Sequence, residues 1–205
     1  PTYADAWALL SLLCAQDHGQ AYEVIEDALE RASLAARKAV EHGPSSHLSH
    51  FALAQVLFFE KDFQSFRNTA TRAVQLNPMD GNSIAFVGSL FVHSGDSERG
   101  LELAERARQL NPHHPGWYWF PDFEHRYRER DYEGALEMVL RMNTPQHWVM
   151  HLAVAACCGH LDRREAGVDA VGRLLALKPE FATTGREHLL RWWEPEVVDH
   201  LLEGL

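Results

Sequence analysis

The sequence predicts an all-α solenoid of about five helix–turn–helix units in tandem, closed by a C-terminal capping helix pair. Three observations carry this. Pro44, Pro78, Pro112, Pro145 and Pro179 recur at spacings of 34, 34, 33 and 34 residues. Asp62, Asp96 and Asp131 recur between them, in KDF, GDS and RDY. Each aspartate opens an amphipathic stretch of about 14 residues that runs to the next proline.

Each marker has a mechanism. Proline cannot continue a helix, and the residue before it avoids the α region, so a proline closes the second helix of every unit. Aspartate at a helix start accepts from free backbone N–H groups and suits the positive helix end. The lead-ins ARKAVEHGP, ATRAVQLNP and AERARQLNP are similar, and GRLLALKP is a weaker copy. Ala39, Ala73 and Ala107 stand five residues before the first three prolines, and Leu140 and Leu174 replace them in the last two units. Helices are expected near 4–16 with 22–42, 46–59 with 62–76, 80–93 with 96–110, 115–129 with 131–142, and 146–158 with 162–177. Two more, near 181–193 and 195–203, form the cap. One domain, 1–205, is therefore expected, with repeats at 1–44, 45–78, 79–112, 113–145 and 146–179 and the cap at 180–205. Pro121 falls inside the helix expected at 115–129 and should kink it. Trp192 and Trp193 read as packing residues of the cap.

This pattern resembles the tetratricopeptide repeat, a 34-residue unit with small residues where its helices cross and a proline closing the second helix. Leu53 and Ala54, then Val87 and Gly88, match the large–small pair of the first helix. Gly100 and Ala32 match the small residue early in the second, where Phe66 departs from the pattern. The second helix of the fourth unit, DYEGALEMVLRMNTP, is about two residues short. The resemblance implies a right-handed superhelix whose concave groove is lined by the first helices. Carried over, its groove positions are Phe51, Gln55, Phe58 and Phe59; Asn82, Ala85, Ser89 and His93; Tyr118, Asp122, His125 and Arg126; and Val149, Leu152, Ala156 and His160. The partner-binding surface is expected at Phe51, Gln55, Phe59, Asn82, Ser89, His93, Tyr118, Asp122, His125 and Arg126. The lysine- and arginine-rich clamp by which some members hold a carboxylate is missing, because only Asn82 and Arg126 match it. The segment LNPHHPGWYWF resembles C-terminal repeat regions of bacterial signalling proteins that carry a cyclase or winged-helix domain upstream.

Composition excludes other classes. The net charge of −10 and the lack of a Lys/Arg cluster argue against nucleic acid as a partner. No run of ~20 apolar residues is present, so no direct membrane insertion is expected. Cys14, Cys157 and Cys158 are odd in number and irregular in spacing, which predicts buried thiols in a reducing, cytoplasmic compartment rather than a disulfide framework. A periplasmic position stays open if a membrane anchor lies upstream, since the chain begins at Pro1 and reads as a fragment.

No catalytic machinery is legible. There is no Gly-x-Ser-x-Gly elbow and no Gly-rich phosphate loop. His147 and His151 have a chelating spacing, but Trp148 replaces the zincin glutamate and no third ligand follows. No enzyme activity, cofactor or metal is expected. A protein- or peptide-binding scaffold is the first reading, as a regulatory module of a larger signalling protein. Two alternatives stay open: a homodimer-forming module using Trp7 or Trp148, and a small-ligand sensor at Tyr118, Asp122 and His125.

Overall fold

In the computed structural model, which describes residues 2–22 and 24–205, the chain folds into helices, with no strand among those residues. They are α1 (Ala4–Gln20), α2 (Ala28–His42), α3 (His47–Phe59), α4 (Phe63–Leu76), α5 (Gly81–His93), α6 (Ser97–Leu110), α7 (Phe120–Arg128), α8 (Tyr132–Met142), α9 (Trp148–His160), α10 (Arg164–Leu177), α11 (Phe181–Leu190) and α12 (Pro195–Glu203). A 3-10 turn, Gly116–Trp119, precedes α7. Consecutive helices pair as hairpins, and each hairpin packs on the next; α12 also folds back onto α9. Among the described residues, no helix is long and apolar enough to cross a membrane.

One turn recurs inside four hairpins. Lys61, Gly95, Arg130 and Asp162 adopt left-handed backbone, with φ of 61°, 83°, 62° and 55°. In the first of these, Lys61 N–H donates to Phe58 O and Asp62 N–H to Leu57 O. The same pair of bonds repeats at Gly95/Asp96, Arg130/Asp131 and Asp162/Arg163. This is the Schellman closure, which satisfies carbonyls left over at a helix end. In three of the four the next residue is an aspartate that caps the following helix: Asp62 accepts from Ser65 N–H, Asp96 from Arg99 N–H and Asp131 from Gly134 N–H. Stop and start signals thus share two residues, which keeps the hairpins tight.

The two helices of a hairpin are buried differently. In α3, Ser49, Ala52, Ala54, Gln55, Val56, Leu57, Phe58 and Phe59 are buried, so the helix is enclosed nearly all round. In α4 only Phe66, Ala70, Ala73 and Val74 are buried, one stripe facing inward. Gly100 lets α5 and α6 approach: a Cβ there would lie 2.6 Å from Gly88 O. Two cores result. Phe58, Phe66, Ile84 and Leu90 centre the first, and Phe123, Tyr127, Leu152 and Leu189 the second. Trp192 packs against both.

Two expectations are corrected. The first hairpin was expected to turn near 17–21, but α1 continues to Gln20 and α2 begins only at Ala28; Glu23, in the expected helix 22–42, lies outside the described residues. The buried Asp17 carboxylate accepts from the Val24 and Ile25 N–H groups at 3.2 Å each, which offers that backbone a partner other than a helix. Pro121 kinks nothing. It sits in the first turn of α7, where its missing N–H would have had no intrahelical partner, and the 3-10 turn takes up the residues before it.

Candidate functional site

The face that carries Phe59 and His93, among the expected groove positions, is occupied by the chain's own C-terminal turn. Pro195 starts α12, so Glu194 before it is extended at φ −66° and ψ 156°, and Arg191–Glu194 form a turn instead of a continuous helix. Arg191 Nη1 donates to His18 O at 2.6 Å, and Trp192 Nε1 donates to Gly19 O at 2.7 Å. Both acceptors are carbonyls of the last turn of α1, where backbone acceptors lack helical partners and a cation is favoured. Lys61 Nζ donates to Arg191 O at 2.8 Å. The Trp192 ring stands edge-on to Phe59, with centroids 4.9 Å apart, and Trp193 edge-on to His93 at 5.1 Å. The turn therefore ties the first hairpin to the last.

A row of charges runs beneath it. His93 Nδ1 is hydrogen-bonded to Glu124 Oε2, Glu124 Oε1 accepts from Arg128 Nη2 at 2.9 Å, and Arg128 Nη2 reaches Glu194 Oε2 at 3.2 Å. His93 and Glu124 are only 5% and 3% exposed. Burial pushes the Glu124 carboxyl up, but the His93 imidazole and the Arg128 guanidinium outweigh it and hold the group below the ordinary carboxylate range. Glu124 thus stays ionised and anchors the imidazole through Nδ1.

Beside this row lies a cavity of about 340 Å³. Gln16 and Gln20 of α1 line it, as do Thr144, His147 and Trp148, and of these Gln16 and His147 are exposed and mark its rim. Phe86, Ser89 and His93 of α5 line the floor together with Trp117, Phe120, Trp192 and Trp193. Four of the chain's six tryptophans thus meet at one cavity, and no Lys, Arg, Asp or Glu is among its lining residues. A largely apolar wall with a few polar atoms is the usual make-up of a ligand pocket.

The ten residues expected to form the binding surface do not converge. Ser89 and His93 line the cavity. Asp122, His125 and Arg126 line a separate, smaller one with Leu101, Glu129 and Asp131. Asp122 there takes two bonds from Arg108, at 2.6 and 3.3 Å, and Arg126 pairs with Asp131 at 2.6 Å. Tyr118 is 1% exposed and stacked on His114. Gln55 and Phe59 are buried, Phe59 under Trp192; Phe51 is half-buried against Phe86; Asn82 is exposed near the start of α5. In the fourth unit Tyr118 is set apart from Asp122, His125 and Arg126 by the 3-10 turn. A 3-10 turn advances about 120° per residue and an α-helix about 100°, so four residues of 3-10 rotate the face by roughly 80°.

The sequence reading missed Glu124, Arg128 and Glu194, because their partners come from three different hairpins. The doublet Trp192–Trp193 ahead of Pro195 was the available signal: two large rings on a turn need a cavity to enter. His147 and His151 do not share a site. His147 accepts from Val149 N–H at 3.3 Å, whereas His151 Nε2 contacts Pro145 O at 2.9 Å. No group of three His, Cys, Asp or Glu among the described residues is placed to hold a metal ion. All three cysteines are buried with raised thiol pKa values, and burial beside Cys158 pushes Cys157 up to about 12. At neutral pH these thiols stay protonated and are poor nucleophiles.

No protein-family model matches the chain, and no curated protein is significantly similar to it in sequence. Solved structures are similar in fold. YrrB, described as a TPR (tetratricopeptide-repeat) protein with an unusual peptide-binding site, superposes with a TM-score of 0.52 at 17% identity, over 75% of this chain and 80% of YrrB. PilF of Pseudomonas aeruginosa gives a TM-score of 0.40 at 18% identity, over 86% of this chain and 92% of PilF. The fold of this chain is an all-α, tetratricopeptide-type solenoid.

Proposed function

We propose that this chain is a protein- or peptide-binding scaffold that works through the aromatic cavity beside its C-terminal turn. The observation that carries the reading is that cavity: about 340 Å³ of space walled by four tryptophans and two phenylalanines, left open beside the Arg191–Glu194 turn. Buried aromatic pockets are where binding energy concentrates at protein interfaces. YrrB, of similar fold, is described as having a peptide-binding site, which supports a peptide as the kind of partner. Attachment to a larger bacterial signalling protein, as its regulatory module, is part of the proposal and rests on the LNPHHPGWYWF segment.

Random-peptide display on the full chain tests this, with Gln16→Trp as the counter-screen. Gln16 is an exposed rim residue of α1, so an indole there fills the mouth without entering either core. Peptides held by the wild type and lost by the variant are the expected result. Peptides held equally by both would place binding elsewhere.

A second reading, self-association, has its own observation. Leu9, Leu10 and Leu13 of α1 are 53%, 38% and 66% exposed, an apolar edge at the N-terminal end of the stack. Light scattering of the wild type beside Leu9→Gln/Leu13→Gln decides it: a dimer mass that falls to monomer in the variant supports the reading, and a monomeric wild type ends it.

A further inference from the structure

We infer that the cavity is a socket for one aromatic side chain of the partner, an indole or a phenol whose N–H or O–H meets His93 Nε2, resting on the peptide-binding reading above. The wall chemistry restricts the guest first. With no Lys or Arg lining the cavity, a carboxylate or phosphate would be buried without a counter-charge. With no lining Asp or Glu, and with Glu124 and Glu194 already engaged by His93 and Arg128, a cation would find no partner charge either. Charge therefore favours a neutral guest, and a quaternary ammonium over the tryptophan faces is the competing guest that choline tests.

Ring chemistry then favours an aromatic one. Edge-to-face contact adds to the burial of an aromatic ring, and the wall offers Phe86, Trp117, Phe120 and Trp148 in addition to the two tryptophans of the turn. The chain has already made the same choice on this face. Trp192 lies edge-on to Phe59 and gives its N–H to a backbone carbonyl at 2.7 Å, so the channel seats an indole with its polar hydrogen satisfied. The open cavity continues from that indole, since Trp192 is one of its walls.

His93 supplies the polar contact. Its Nδ1 is held by Glu124, an acceptor that is ionised and cannot donate, so Nδ1 carries a hydrogen. Nε2 is the ring's free nitrogen: it accepts from a guest N–H or O–H when the ring is neutral and donates to a phenol oxygen when the ring is protonated. That atom makes no hydrogen bond among the described residues, and His93 is among the residues that line the cavity. A guest that displaces water from the cavity would have to give that atom a partner, which an N–H or O–H does. An aliphatic side chain would fill the space and leave Nε2 without a partner.

The test is a calorimetric titration of the full chain with N-acetyl-tryptophanamide, N-acetyl-tyrosinamide, N-acetyl-leucinamide and choline, with the His93 Nε2 nitrogen followed by NMR. The aromatic amides are expected to bind about fivefold or more tightly than the leucine amide. They should also move the Nε2 resonance and lose binding in Gln16→Trp and in Ser89→Leu, which fill the cavity from its rim and its floor. Equal or tighter binding of the leucine amide, saturation by choline, or aromatic binding that ignores both variants and His93 would overturn the inference. Its failure is separable from that of the peptide reading. Displayed peptides that lack aromatic residues and are still lost in Gln16→Trp sink the aromatic socket and leave the scaffold standing. Peptides that ignore Gln16→Trp sink both.

Discussion

Single residues carry unequal loads here. Seven of the described positions take left-handed backbone, and only Gly95 does so without a side chain. Gly95→Ala is therefore expected to cost about 1 kcal/mol in a denaturant titration. Arg130→Gly, in the equivalent turn of the next hairpin, should shift stability slightly the other way. Equal effects of the same sign would mean that the turns are not equivalent. Glu124 is the most heavily committed side chain, bonded to His93 and Arg128 at 3% exposure. Glu124→Gln leaves Arg128 and His93 with one acceptor fewer in a buried place, and about 3 kcal/mol of stability should be lost by thermal or chemical unfolding. A change within error would show that water reaches the row.

At the scale of elements, most of the fold was legible in the sequence. Proline spacing and capping aspartates locate α3 to α6 within about a residue, because caps and breakers act through local backbone chemistry. Asp80 shows the strength of that signal: it accepts from Ser83 N–H at 3.1 Å and Ser83 Oγ at 2.6 Å, and Asp80→Ala is expected to cost about 1 kcal/mol. The first turn was not legible, since Asp17 acts on Val24 and Ile25 through the tertiary shape of the hairpin. Nor was the side-chain phase at the start of the fourth unit, because a short 3-10 run changes that phase without changing composition. The cap adds a pH dependence. His200 of α12 faces His160, Tyr127, Tyr132, Glu203 and Arg130; its ring stacks on His160 at 4.4 Å, and Tyr132 Oη lies 2.9 Å from its Nε2. Burial, then the neighbouring His160, lowers the His200 pKa, and burial does the same for His18, His147 and His188. A histidine whose folded value is depressed is neutral in the native state, while the unfolded chain takes up a proton near 6.5. The stabilisation is complete above that value and is lost as pH falls below it. The melting temperature should therefore drop between pH 7 and 5, before the carboxylates titrate, and His200→Gln should flatten part of the slope. A wild-type profile flat across that interval would contradict the assignment.

For the whole molecule, the decisive feature is that the stack closes on itself. Two cores that a row of hairpins would leave separate are joined through Trp192, whose anchor lies on α1, 173 positions earlier in the chain. Trp192→Ala should cost about 3 kcal/mol and, beyond that loss, let the two ends part. Small-angle scattering should show a larger radius of gyration for the folded variant, and an unchanged radius would mean that the turn is not what holds the ends together. The closure also determines the surface left for a partner. The repeat pattern implies a groove running the length of the solenoid, and Trp192 and Trp193 take up part of that face and leave the aromatic cavity beside them.

The most direct test of this account is fluorine NMR of the chain carrying 5-fluorotryptophan, titrated with a display-selected peptide. Trp117, Trp148, Trp192 and Trp193 line the cavity, whereas Trp7 lies under Lys38 and Trp119 between Arg108 and Arg141, both outside it. The account predicts that the four cavity resonances shift together while those of Trp7 and Trp119 stay in place. Shifts confined to Trp7 or Trp119, or a bound peptide that moves none of the four, would contradict it.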